Sequence, residues 1–192
     1  MKKKVNRKLE IVAAAEKLLR EKGLVGVTTR AIAAAVPCSE GAIYVHFSGR
    51  VELLLAVLEA SLPEMLIPLK ALEGVIGVRT PEQNMIKAVQ GMQKFHARVA
   101  PMLSSLFAEP ELLQGFRQSM AVKGGGPNGG IARIGNYIAA EQKLGSLSQG
   151  LIAEDVAVTL MSVSFFQAFT SGLFGKHVPS WNAARMVKSL LR

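Results

Sequence analysis

Ser39, Tyr44, His46 and Arg50 fall within twelve residues and bring two hydroxyls, an imidazole and a fixed cation into one short stretch. That set is suited to hydrogen-bonding and neutralising phosphate. Thr29 offers another hydroxyl ten residues before Ser39, and Gly41 allows a backbone to approach closely where a side chain would collide. Among these groups, only Glu40, Ala42 and Val45 are placed to meet base edges: a carboxylate accepts from cytosine N4, and an alanine methyl touches a thymine methyl. Catalytic chemistry has no comparable set. There is no Ser/His/Asp order with nucleophile-elbow glycines and no HExxH, and Glu154 and Asp155 are adjacent and so face different directions. His46, His96 and His177 share no metal-ligand spacing, and a single cysteine excludes an internal disulfide. The run from Lys123 to Gly130 lacks the Gly-Lys-Ser/Thr ending of a phosphate cradle and reads as a loop. No catalytic residue, metal or cofactor is predicted. Cys38 reads as a small buried apolar residue in preference to a redox switch.

Helices must position these groups. The stripe Ile11, Ala14, Ala15, Leu18 and Leu19 predicts a first helix from about Asn6 to Lys22, stopped by Gly23. Thr28 can cap a second over Thr29 to Ala35, and Val36-Pro37 ends it. Ser39 can cap a third from Glu40 to His46, which completes a helix-turn-helix pattern. A longer connector follows from Val51 to about Leu72, with Pro63 and Pro68 expected to kink it or end it early. Thr80-Pro81-Glu82-Gln83 carries a cap, a first-turn proline and a capping-box partner, and opens a helix to about Ser104. Further helices are predicted over Glu111 to Val122, Ile131 to Leu144, Ile152 to Phe174 and Ser180 to Leu191. With no sustained strand alternation, the chain reads as all-α.

The chain of 192 residues is 49% hydrophobic and 19% charged, enough apolar material for a buried core and too much for disorder. The net charge of +9 favours a polyanionic partner, and residues 1 to 50 hold ten Lys/Arg against four Glu. Glu10, Glu16 and Lys17 interrupt any secretory signal behind Lys2, Lys3 and Lys4. Val156 to Gly175 has the length to cross a bilayer, but six Ser, Thr and Gln residues within it favour a helix buried in protein. A reduced, cytoplasmic setting follows.

The stretch Ile11 to Gly23, then Thr28-Thr29-Arg30-Ala31-Ile32-Ala33, then Ser39-Glu40-Gly41-Ala42-Ile43-Tyr44-Val45-His46-Phe47, closely resembles the DNA-binding domain of TetR-family transcriptional regulators. The likeness covers about residues 9 to 58, and its most specific part is Ser-x-Gly-x-x-Tyr-x-His-Phe with the basic Arg50 three residues beyond. The resemblance implies residues 1–50 on DNA, a connector at 51–74 and a helical ligand-binding and dimerisation domain at 75–192. Residues expected to face DNA are Lys3, Lys4, Thr28, Thr29, Arg30, Ser39, Glu40, Gly41, Ala42, Tyr44, His46 and Arg50. Two departures stand out: glycine is usual where Pro37 stands, and lysine is common where Glu40 stands. A position needing positive φ cannot hold proline, so either the turn is rebuilt or glycine was never required.

The resemblance also implies a pocket for a small hydrophobic effector, and Met92, Phe95, Val99, Met102, Leu106, Phe107, Phe116, Met120, Tyr137, Met161 and Phe165 are the adaptable apolar residues that would line it. Ser164, Ala168 and Gly172 recur every four residues and form a flat strip, with Phe169 beside it. Together with Trp181, Met186 and Leu190 of the last helix they are expected to form the seam of a homodimer, the symmetry a palindromic operator demands. The expected function is a ligand-responsive regulator, a repressor released when effector shifts the connector. Two alternatives stand beside it: a sequence-independent DNA-binding protein, and an apolar-ligand-binding protein with a vestigial helix-turn-helix.

Overall fold

In a computed structural model, residues 6–124, 126–175 and 181–192 are described. They are helical without a strand: α1 Arg7–Lys22, α2 Thr29–Ala35, α3 Glu40–His46, α4 Arg50–Ala71, α5 Pro81–Ser105, α6 Pro110–Val122, α7 Asn128–Lys143, α8 Ala153–Phe174 and α9 Ala183–Leu190. The chain divides into two compact units, Met1–Ser61 with Pro101–Lys123, and Leu62–Ala100 with Gly124–Arg192.

Helix ends follow local chemistry. Gly23 stops α1 at φ 68°, a conformation that costs glycine little. Thr28 Oγ1 accepts from the Ala31 N–H at 3.1 Å, Ser39 Oγ from Ala42 at 3.2 Å and Thr80 Oγ1 from Gln83 at 3.3 Å, each satisfying a donor the helix leaves orphaned. Asn182 caps α9 through Ala184 and Arg185, so this helix starts at Ala183; Ser180, the expected start, lies outside the described residues. The loop after Lys123 is shorter than expected, because Pro127 already has helical φ and ψ and α7 begins at Asn128 instead of Ile131.

The first unit buries Ile11, Ala15, Leu18 and Leu19 of α1 together with Ile32, Ile43, Phe47, Leu54, Met102, Leu106 and Phe116. The second is built on Met65, Leu69, Met85, Val89, Met92, Ile134, Ile138, Leu160 and Val187. Neither proline ends α4: the helix runs through Pro63 and Pro68, so the expected early stop does not occur. Tertiary packing supplies the reason at Pro68. The Glu64 carbonyl, which Pro68 cannot engage, faces α5 at Gly91, where a Cβ would lie 2.6 Å from that oxygen and 2.3 Å from Pro68 Cγ. Among the described residues one helix is long and apolar enough to cross a membrane, α8, with Val156, Ala157, Leu160, Met161, Ser164 and Thr170 buried in the protein.

Candidate nucleic-acid interface

α3 has two faces. Ile43 and Phe47 stand one turn apart and are buried, which fixes the helix on the first unit's core. Lys8 of α1 reaches over the Phe47 ring with Nζ 5.2 Å from its centroid. Outside that buried pair Glu40, Gly41, Tyr44 and Val45 are exposed, with Tyr44 60% and Val45 80% exposed, while Ala42 and His46 are half-buried. Large apolar surface left uncovered on a seven-residue helix has no role in the core and is available to a partner. A Cβ built on Gly41 meets nothing nearer than Ser39 Oγ at 3.8 Å, so the protein itself leaves that space open.

The α2–α3 turn is made without glycine. No residue between Val36 and Ser39 has positive φ, and Val36 is extended at φ −116° and ψ 111°. Pro37 therefore fits, which answers the question its position raised. Cys38, expected to be buried, is partly exposed because it sits in this surface turn. Glu40 has a partner: its Oε2 accepts from the Thr29 hydroxyl at 2.5 Å, which ties the start of α3 to the start of α2. Thr28 and Ser39 spend their hydroxyl oxygens on caps, and Arg30 is exposed. Lys3 and Lys4 lie outside the described residues. At the start of α4, Ser48 donates its backbone N–H and its hydroxyl to Glu52 Oε2 at 2.8 and 2.9 Å, and the backbone bond foremost holds that carboxyl below the usual range.

Arg50 departs most from a simple phosphate contact. Its guanidinium forks onto Glu109, Nη1 to Oε2 at 2.8 Å and Nη2 to Oε1 at 3.0 Å, and Nη2 also donates to the Leu24 carbonyl at 3.1 Å. Sequence reasoning did not find Glu109; a glutamate before Pro110 signals a helix start and nothing about a partner 59 residues away.

The residues assigned to an effector pocket divide between the units. In the second, Met92, Phe95, Val99, Tyr137 and Met161 are buried and Phe165 is half-buried. In the first, Met102, Leu106 and Phe116 are buried and Met120 half-buried, but Phe107 is 74% exposed and lines no interior, because it sits in the short turn between α5 and α6. The second unit's core also holds polar groups that hydrophobic patterning passes over. Asn84 donates to Tyr137 Oη at 3.0 Å, and the fully buried Glu141 accepts from the Gly77 N–H at 3.1 Å. Burial, more than its partners, raises the Tyr137 pKa. The spacing Ile134, Tyr137, Ile138, Glu141 was the available signal, since it places all four on one helical face.

His96 sits between the Phe95 and Phe165 rings, at centroid distances of 5.3 and 5.6 Å, and its Nδ1 lies 2.9 Å from Ser164 Oγ. Burial pushes its pKa down to about 4 from 6.5. The unfolded chain therefore takes up a proton before the native protein does, so this contribution to stability is complete above pH 6.5 and is lost as pH falls towards 4. The expected loss is about 2–3 kcal/mol. Urea unfolding across that pH range tests it: His96→Gln should flatten the slope, and an unchanged slope in the variant would remove His96 as its source.

The small-residue strip assigned to a dimer seam needs correction. Ser164 is buried and engaged with His96 inside its own unit, so it is not available to a second copy. Ala168 and Leu190 are half-buried, Gly172 is exposed and Met186 is buried. The uncovered apolar strip is instead Phe166, Phe169 and Leu173, with Phe174 and Trp181 also exposed.

Residues 11–57 match the family model described as bacterial regulatory proteins, tetR family. No curated protein sequence matches the chain. Among solved structures, a protein described as a TetR-family transcriptional regulator from Mesorhizobium loti is similar at TM-score 0.71 and 16% identity, over 96% of this chain and 94% of that one. The fatty acid degradation regulator FadR from Bacillus halodurans is similar at TM-score 0.67 and 16% identity, over 98% of this chain and 94% of that one. FadR from Bacillus subtilis, solved in complex with stearoyl-CoA, is similar at TM-score 0.62 and 16% identity, over 95% of each chain.

Proposed function

We propose, from the match of residues 11–57 to the tetR family of bacterial regulatory proteins, that the chain is a DNA-binding transcriptional regulator of that family. One observation carries the reading: α3 is anchored by Ile43 and Phe47 and turns Glu40, Gly41, Tyr44 and Val45 outward, as a helix entering a major groove must. Residues 1–50 engage DNA, residues 51–74 connect, and residues 75–192 bind effector and a second copy. The exposed Phe166, Phe169 and Leu173 on α8 are the apolar surface a homodimer would cover. Regulation is repression relieved by a small hydrophobic effector. Acyl-CoA thioesters are the first class to test, since a similarly folded regulator was solved with stearoyl-CoA and the second unit here buries Met65, Met85, Met92, Met161 and Met186. The protein works as a cytoplasmic regulator and not as an enzyme.

Selection from random DNA followed by fluorescence anisotropy at about 150 mM salt tests this, with a specific Kd of about 10 nM or tighter expected on a palindrome. Binding that random competitor removes would indicate sequence-independent contact. Absence of DNA binding alongside acyl-chain binding would point to a vestigial helix-turn-helix. Glu40, steadied by Thr29, is expected to accept from a cytosine amino group. Glu40→Gln should then move one position per half-site from cytosine towards adenine, by about 1–3 kcal/mol of discrimination, read by repeating the selection. An unchanged preference at every position would take Glu40 off the bases.

A further inference from the structure

Glu109 immediately precedes α6, and its side chain caps nothing in that helix. Both its carboxylate oxygens are instead spent on Arg50, at 2.8 and 3.0 Å. At the far end of α6, Lys123 Nζ lies 2.6 Å from Glu59 Oε1 of α4. Between the two pairs Gly115 leaves room for Val51, whose Cγ2 would stand 3.0 Å from a Cβ on that glycine. The start of α6 is thus held to the start of α4 within the first unit.

A guanidinium fork binds one planar or tetrahedral anion edge-on, and carboxylate and phosphate are the two anions its geometry matches. Arg50 is the basic residue three positions past Phe47, beside the helix that the functional reading places on DNA, yet the edge it would offer a phosphate is filled by Glu109. The pair is partly exposed, with 43% and 32% of the two side chains accessible, so it is labile and exchangeable. We propose that Glu109 is a built-in phosphate mimic that withholds Arg50 from DNA, and that displacement of the start of α6 releases this arginine as a backbone contact. The conformation with the pair closed is then the weaker DNA binder, and an effector that relieves repression would favour the closed pair. This rests on the reading that residues 1–50 engage DNA, but it concerns phosphate and not sequence.

The test is Glu109→Gln in the full-length protein, titrated on the selected DNA and on random DNA over a range of salt. The variant should bind about 3- to 10-fold more tightly at low salt, and log K should fall more steeply with log salt by about one for each arginine freed. Adding Arg50→Gln should abolish both gains, and Glu109→Asp, too short to span the fork, should reproduce them if Glu109→Gln proves unstable. Equal or weaker binding by Glu109→Gln with the wild-type salt slope would overturn the proposal. Because the contact is to phosphate, the slope on random DNA decides it even where sequence-specific binding fails, which keeps the two readings separable.

Discussion

Gly91→Ala is expected to unfold at a temperature about 4–8 °C below wild type, a loss of about 2 kcal/mol for a chain of this length. The added methyl would lie 2.3 Å from Pro68 Cγ and 2.6 Å from the Glu64 carbonyl oxygen. Neither obstacle can step aside: one belongs to a ring and the other to the backbone of α4. Overpacking costs about 1–3 kcal/mol where side chains can shift and more where backbone must, so about 3 kcal/mol is reasonable here. Alanine's better helix propensity returns about 1 kcal/mol, which leaves the net loss. Gly74→Ala is the control, because nothing lies within 4 Å of a Cβ there. It should melt at or slightly above the wild-type temperature. If Gly91→Ala did the same, the close approach of α5 to Pro68 would be wrong.

Gly41→Leu should do the reverse, sparing the fold and removing DNA binding. Among the described residues, outside the local helix backbone and chain neighbours, the nearest atom to a Cβ at Gly41 is Ser39 Oγ, at 3.8 Å, and the residue is exposed in the first turn of α3. Leucine suits a helix better than glycine by about 1 kcal/mol, so thermal stability should hold or rise. On DNA the side chain would push the start of α3 out of the groove and break several contacts together. Each base or backbone contact carries about 1–3 kcal/mol, so a loss of about 2–4 kcal/mol, roughly 30- to 1,000-fold in Kd, is expected by anisotropy. Wild-type affinity in a stable Gly41→Leu protein would mean that α3 is not the helix that reads DNA.

The sequence by itself determined the helices and their ends in the first fifty residues. Thr28, Ser39 and Gly23 act on backbone groups within four positions, so their meaning survives without knowledge of the fold. The outward face of α3 was equally legible, because Ile43 and Phe47 differ by one helical turn and leave Gly41 and Val45 on the other side, while Glu40 is exposed as the first residue of the helix. What the tertiary structure alone decided depends on groups far apart in the chain. Pro68 sits inside a helix with Gly91, 23 residues on, packed too close to it for a Cβ. Ser164 lies inward, 2.9 Å from His96, and the exposed apolar strip on α8 is Phe166, Phe169 and Leu173. Arg50 closes on Glu109 across 59 residues. Capping and periodicity are encoded within a turn or two of backbone, whereas the partner of a charged or small polar side chain is set by which surfaces the packed helices bring together.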